Sequence, residues 1–219
     1  MIKLLILALV IVNYASCVSV SDANTFVDAV IREKLPLFLK ESSRLFPHAT
    51  IVDFSFQLRK KTPTDRDLEV NMTHGEIHGF DTVLHREQDC ESSTRPGTNI
   101  IFCNLTLRGL NITFTALARD DTLGATWNTI GVHSTLQTTI AYFEASAPVG
   151  HNGNLRMFRV QEIQLDVDYG SELSLNEDQR QTFKDEVKRV VNDLLRDIFF
   201  NEYNDALRLA VESVTFPGV

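Results

Sequence analysis

Along residues 176–214, Phe183, Val187, Val190, Val191, Leu194, Leu195, Ile198 and Phe199 recur at spacings of three and four, and Tyr203, Leu207, Ala210, Val211 and Val214 carry the stripe on. Lys184, Asp185, Lys188, Arg189, Asp193, Arg196 and Asp197 fill the opposite side. This is the 3.6-residue period of a helix with one buried face. Read as one helix, at about 1.5 Å per residue, the stretch is roughly 50 Å long. A face that long must be covered. The rest of the chain reads mainly as strands, so the expected fold is a sheet laid over a long apolar helix.

The other end reads as a secretory signal. Lys3 precedes a continuous apolar run over 4–12, and Ala15 and Cys17 sit at positions suited to cleavage after Cys17. The run is shorter than the roughly 20 residues that cross a bilayer. The expected product is therefore a secreted, extracellular chain over 18–219, long enough for one domain with a sizeable core. The net charge of the full sequence is −8, and slightly more negative without Lys3, which argues against nucleic acid and against general attraction to anionic membranes. Cys17 leaves with the signal, so Cys90 and Cys103 remain. In an oxidising compartment they are expected to form one disulfide across a hairpin; two unpaired, partly buried thiols are the alternative.

Between the two ends the patterning is mostly that of strands. A first helix is expected over 22–42, from Phe26, Val30, Ile31, Leu35 and Phe38, with a kink or early stop near Lys34 because Pro36 follows. Val52, Phe54, Phe56 and Leu58 alternate with polar residues, as do Leu68, Val70 and Met72, after which Gly75 and Gly79 suggest a bulge or bend. Further strands are expected over 99–107, 110–118 and 129–144, and at Ile163 to Tyr169. Helix, six or so antiparallel strands, then a long helix makes an α+β chain. Three sequons, at Asn71, Asn104 and Asn111, fall on the polar side of alternating strands, where glycans would stand in solvent.

No nucleophile elbow, phosphate loop or HExxH helix is present, so a non-enzymatic role without a cofactor is expected. His74, Glu76 and His78 are the most metal-like group, but on a bent strand they read as exposed histidines, and no metal is expected. Arg59, Lys60 and Lys61 cluster at a hairpin tip. A solvated turn is the plain reading of that tip, and a transient membrane contact is the functional one. Fourteen phenylalanines against one tryptophan supply ample apolar surface. A curved sheet around a long helix can enclose an elongated apolar cavity suited to acyl chains.

The stretches Leu68-Glu-Val-Asn-Met-Thr-His-Gly-Glu-Ile-His-Gly-Phe80, Asn104-Leu-Thr-Leu-Arg-Gly-Leu110 and Arg159-Val-Gln-Glu-Ile-Gln-Leu-Asp-Val-Asp168 resemble strands of the group 7 dust-mite allergens. Those allergens belong to the tubular lipid-binding superfamily, with the bactericidal/permeability-increasing, takeout and juvenile hormone-binding proteins. The resemblance implies a super-rolled antiparallel sheet wrapped around the C-terminal helix, enclosing a groove for a lipid or other hydrophobic small molecule. On that reading Phe26, Val30, Phe54, Phe56, Val187, Val191, Leu194, Leu195, Ile198 and Phe199 line the groove. The chain departs from takeout-like relatives in lacking a disulfide near the mature N-terminus. At most Arg59 to Lys61 match the basic tips of endotoxin binders, so lipopolysaccharide binding is not expected. The alternative is a secreted protein-interaction module with a filled core and no ligand cavity.

Overall fold

The computed structural model describes residues 18–60, 66–95, 97–148 and 150–218. The expected signal and Lys61 of the basic turn lie outside them. The first helix, α1, spans Val20–Asp28, and the Ser19 side chain caps it by accepting from the Asp22 N–H. No stop follows at Lys34. The backbone widens into a π-helical stretch over Ala29–Lys34, and α2 continues over Leu35–Glu41. Pro36 thereby falls in the first turn of α2, directly after the widened π-helical stretch.

The described residues form eleven strands in two antiparallel sheets. These are β1 (Ala49–Ile51), β2 (Phe54–Leu58), β3 (Leu68–His78), β4 (Leu84–Arg86), β5 (Glu91–Arg95), β6 (Thr98–Leu107), β7 (Asn111–Asp120), β8 (Asn128–Leu136), β9 (Thr139–Ala147), β10 (Asn154–Val160) and β11 (Leu165–Tyr169). One sheet runs β1-β3-β7-β8-β11, with β2 also on β3; the other runs β10-β9-β6-β4, with β5 also on β6. The strand expected from Val52 begins only at Phe54: Val52 is 84% exposed and lies between β2 and a short unexpected strand, β1. The stretch 129–144 is two strands, β8 and β9, which lie in different sheets. The sequence reading missed β10, whose register shifts between Leu155 and Met157 and so breaks the alternation.

The bulge expected near Gly75 is present. The β3–β7 register shifts between Thr73 and Glu76, and His74 takes φ 52°. A Cβ on Gly75 would lie 2.7 Å from Ile51 Cβ and 2.7 Å from the Phe114 ring, so only glycine lets β1 and β7 close in here. The bulge also changes phase. Val70 and Met72 point inward before it, and Gly75 and Ile77 after it, which leaves Glu76 and His78 on the outer face.

Cys90 and Cys103 form the disulfide, one rung beyond the Glu91–Phe102 pair of the β5–β6 hairpin, with Cα atoms 4.6 Å apart. Their sequence separation is 13. Closing so short a loop contributes on the order of 3 kcal/mol in the loop-entropy model. A Cys90→Ala, Cys103→Ala chain is expected to be less stable by about that free energy, with an m-value equal to the parent's or slightly raised as the denatured chain expands, as measured by equilibrium urea melts.

The C-terminal stretch is not one helix. Asn176 caps α3, which spans Glu177–Phe200; α4 follows over Glu202–Glu212. Asn201, at φ −103° and ψ −96°, lies outside helical geometry and bends the chain. Its side-chain amide donates to Asp197 Oδ1 at 2.7 Å, tying the break to the last turn of α3. Phe183 on α3 packs against Phe56 and Tyr169 of the first sheet, and Tyr203 on α4 stacks on Phe158 of the second. The helical arm thus crosses from one curved sheet to the other, and the break lies at the crossing. No helix among the described residues is long and apolar enough to cross a membrane.

Candidate functional site

The break opens a cleft of about 1310 Å³ between the end of α3 and the edge strand β10. Its apolar floor comes from Phe158 and Val160 of β10, from Ile163 in the loop before β11, and from Phe199 in the last turn of α3. Phe199 is fixed from behind by Phe80, with ring centroids 6.1 Å apart, and by Tyr203 at 5.1 Å. Phe158 stacks on the same Tyr203 at 5.8 Å. The rim holds Tyr142, Arg159, Gln161, Glu162, Arg196, Asp197 and Phe200. Phe200 is 80% exposed, an unusual position for a phenylalanine.

Charge at the rim is uneven. Asp197 is committed to Arg44, 2.6 Å away, and that guanidinium holds the Asp197 carboxyl below the usual carboxylate range. Arg44 also pairs with Glu202, so it spans the break from α3 to α4. Among the described residues Arg159 and Arg196 make no ion pair. Behind the floor, the Tyr203 hydroxyl is buried without a hydrogen-bond partner among the described residues. Its burial, aided by Asp81, raises the phenol well above its ordinary value, so it stays a neutral donor. Leaving such a group unpaired costs about 1–3 kcal/mol.

The groove residues expected from sequence are spread through the molecule. Phe199 lines the cleft. Val187, Val191, Leu195 and Ile198 are fully buried in the packed interior beneath α3, and Leu194 is half-buried against it. Val30 is likewise core, and Phe26 packs on Phe216 at 4.8 Å. Phe54 and Phe56 stack on one another, half-buried, against Phe114 and Phe183. A stripe marks burial but not what covers it, and here side chains cover nearly all of it. Tyr142, Phe158, Val160, Ile163 and Phe200 were not foreseen. One signal was readable: Phe200 breaks the amphipathic pattern by putting an aromatic on the polar face beside Asn201. Asn104 and Asn111 are exposed and Asn71 is half-buried. Arg59 and Lys60 are exposed on the turn after β2.

Two curved antiparallel sheets joined by a bent helical arm, with an apolar cleft at the bend, define an α+β fold. No family model matches the chain. The chain belongs to the family of the salivary anticoagulant protein P23 of Ixodes scapularis, to which it is 37% identical over 222 residues covering 100% of both chains. Among solved structures, the crystal structure of a lipopolysaccharide-binding protein matches with a TM-score of 0.37 and 12% identity, over 88% of this chain. This chain spans 38% of that protein's length. Takeout 1 of Epiphyas postvittana matches with a TM-score of 0.34 and 10% identity, over 86% of this chain and 92% of the other.

Proposed function

We propose that this protein is a secreted, non-enzymatic binding protein that takes one ligand with an apolar tail and an anionic head in the cleft at the helix break. The observation that carries the reading is the cleft itself: an apolar floor of Phe158, Val160, Ile163 and Phe199 under a rim with two arginines that have no acidic partner among the described residues. Its volume of about 1310 Å³ leaves room for an acyl chain. Burying the tail supplies affinity at about 25 cal/mol per Å² before the costs of association. Arg159 and Arg196 supply charge-assisted hydrogen bonds to a carboxylate or phosphate. On the same reading the segment 1–17 is removed on secretion, and Asn104 and Asn111 carry the glycans.

The name of the Ixodes scapularis relative favours a second statement, that this protein also slows coagulation. The two statements meet if the ligand is an anionic phospholipid.

Titration of the protein, purified from a eukaryotic host, with a fluorescent fatty acid should show saturable binding of one probe per chain. Arg159→Glu with Arg196→Glu should weaken the fatty acid at least tenfold and a fatty alcohol of equal length far less. Failure of the folded protein to bind either probe would remove the ligand reading. An unchanged clotting time on adding the protein to recalcified plasma would remove the second.

A further inference from the structure

We infer that His48, Glu76 and His78 form a binding site for a divalent transition-metal ion on the outer face of the first sheet. β1 and β3 pair antiparallel with Ala49 opposite Ile77 and Thr50 opposite Glu76. One step further along that register His48 lies opposite His78, and their rings are 5.2 Å apart. Glu76 sits two residues from His78, so its side chain emerges on the same face. Its carboxylate lies between the two imidazoles, with Oε2 2.9 Å from His78 Nε2 and Oε1 3.8 Å from His48 Nε2. One ligand atom from each residue falls within 4.8 Å of the other two.

Zinc holds imidazole nitrogen and carboxylate oxygen at about 2.0–2.2 Å in a tetrahedron, which sets the ligand atoms roughly 3.3 Å apart. The separations here bracket that value. All three side chains are 34–42% exposed, so rotamer adjustment can close the set and a fourth position stays open to water. A nitrogen-rich set with one carboxylate suits zinc, copper or nickel rather than calcium or magnesium.

A plain cross-strand ion pair needs one imidazole on a carboxylate. Here two converge on the same one, and the backbone makes a special arrangement to allow it. Without the bulge at His74 and Gly75, Glu76 and His78 would share the inward phase of Val70 and Met72. The bulge also explains why sequence spacing alone pairs the wrong histidine with His78. His74, at positive φ, turns its Nδ1 to Thr73 Oγ1 at 3.0 Å, and His48 takes its place from the neighbouring strand.

The test is calorimetric titration of the full, untagged, disulfide-bonded chain, stripped with a chelator, with zinc ions alone and with magnesium as the comparison. Zinc should bind one ion per chain, and magnesium should give no saturable heat. His48→Ala, His78→Ala and Glu76→Gln should each weaken zinc more than about tenfold, a loss that removing even an outer-shell partner can bring. His74→Ala should leave it unchanged. Zinc should also raise the melting temperature of the parent chain and not that of the double variant His48→Ala, His78→Ala. Their metal-free melts should overlay, because both side chains are part-exposed. No saturable zinc binding, or zinc binding that survives in the double variant, overturns the site.

Discussion

A Leu195→Asp chain is expected to lose its cooperative melt. Leu195 is fully buried, flanked one turn away on each side by Val191 and Phe199, which are also buried. The substitution removes most of an aliphatic side chain from a packed interior, a loss of about 2–5 kcal/mol for leucine truncations. It also places a carboxylate where no partner waits, which adds several kcal/mol or forces the group to protonate. A whole domain is worth only about 5–15 kcal/mol. Near-UV circular dichroism on heating should show no sharp transition, while Leu195→Met, which keeps the volume, should melt within a few degrees of the parent. A Leu195→Asp chain that melted cooperatively close to the parent would mean that the helix stripe faces a void, as the groove reading supposes, and not packed side chains.

The second large effect lies at the cleft, where the balance reverses. Val160 is on the edge strand β10, half-buried, beside Phe158 and across from Phe199. Val160→Asp puts a negative charge on the floor where an acyl chain would lie and sets it against the anionic head. The fatty-acid probe should bind at least tenfold more weakly, which corresponds to about 1.4 kcal/mol. The aspartate can still reach water at the cleft mouth, so the melt should remain cooperative and shift by only a few degrees. Undiminished probe affinity in this variant would place the ligand elsewhere. Together the two substitutions separate a filled core beneath α3 from a binding surface at its end.

Much of the fold was readable wherever one period held without interruption. β7 and the first half of β3 alternate cleanly, and the two cysteines left by the expected signal cleavage pair as the compartment predicts. Legibility failed at the interruptions. Residues 129–144 keep the look of one strand, although the chain changes sheets after Leu136. The break at Asn201 is silent because Leu195, Phe199, Tyr203, Leu207 and Val211 keep their spacing of four straight through it. The candidate cleft was nearly invisible for the same reason. Its floor is drawn from an irregular edge strand, a loop and one helical residue, and no periodicity connects them.

The bend is held by packing inside and by one guanidinium at its surface: Phe199 of the first segment meets Tyr203 of the second at 5.1 Å. Arg44 grips Asp197 before the break and Glu202 after it, and both pairs are part-exposed. Exposed ion pairs are worth about 0–1 kcal/mol each and weaken as salt shortens the screening length to about 8–10 Å. Phe199 and Phe200 belong to one helical segment and Tyr203 to the other. Ionic strength therefore bears on the surface clasp alone: salt slackens the Arg44 pairs, and the buried contact between Phe199 and Tyr203 keeps the two segments joined.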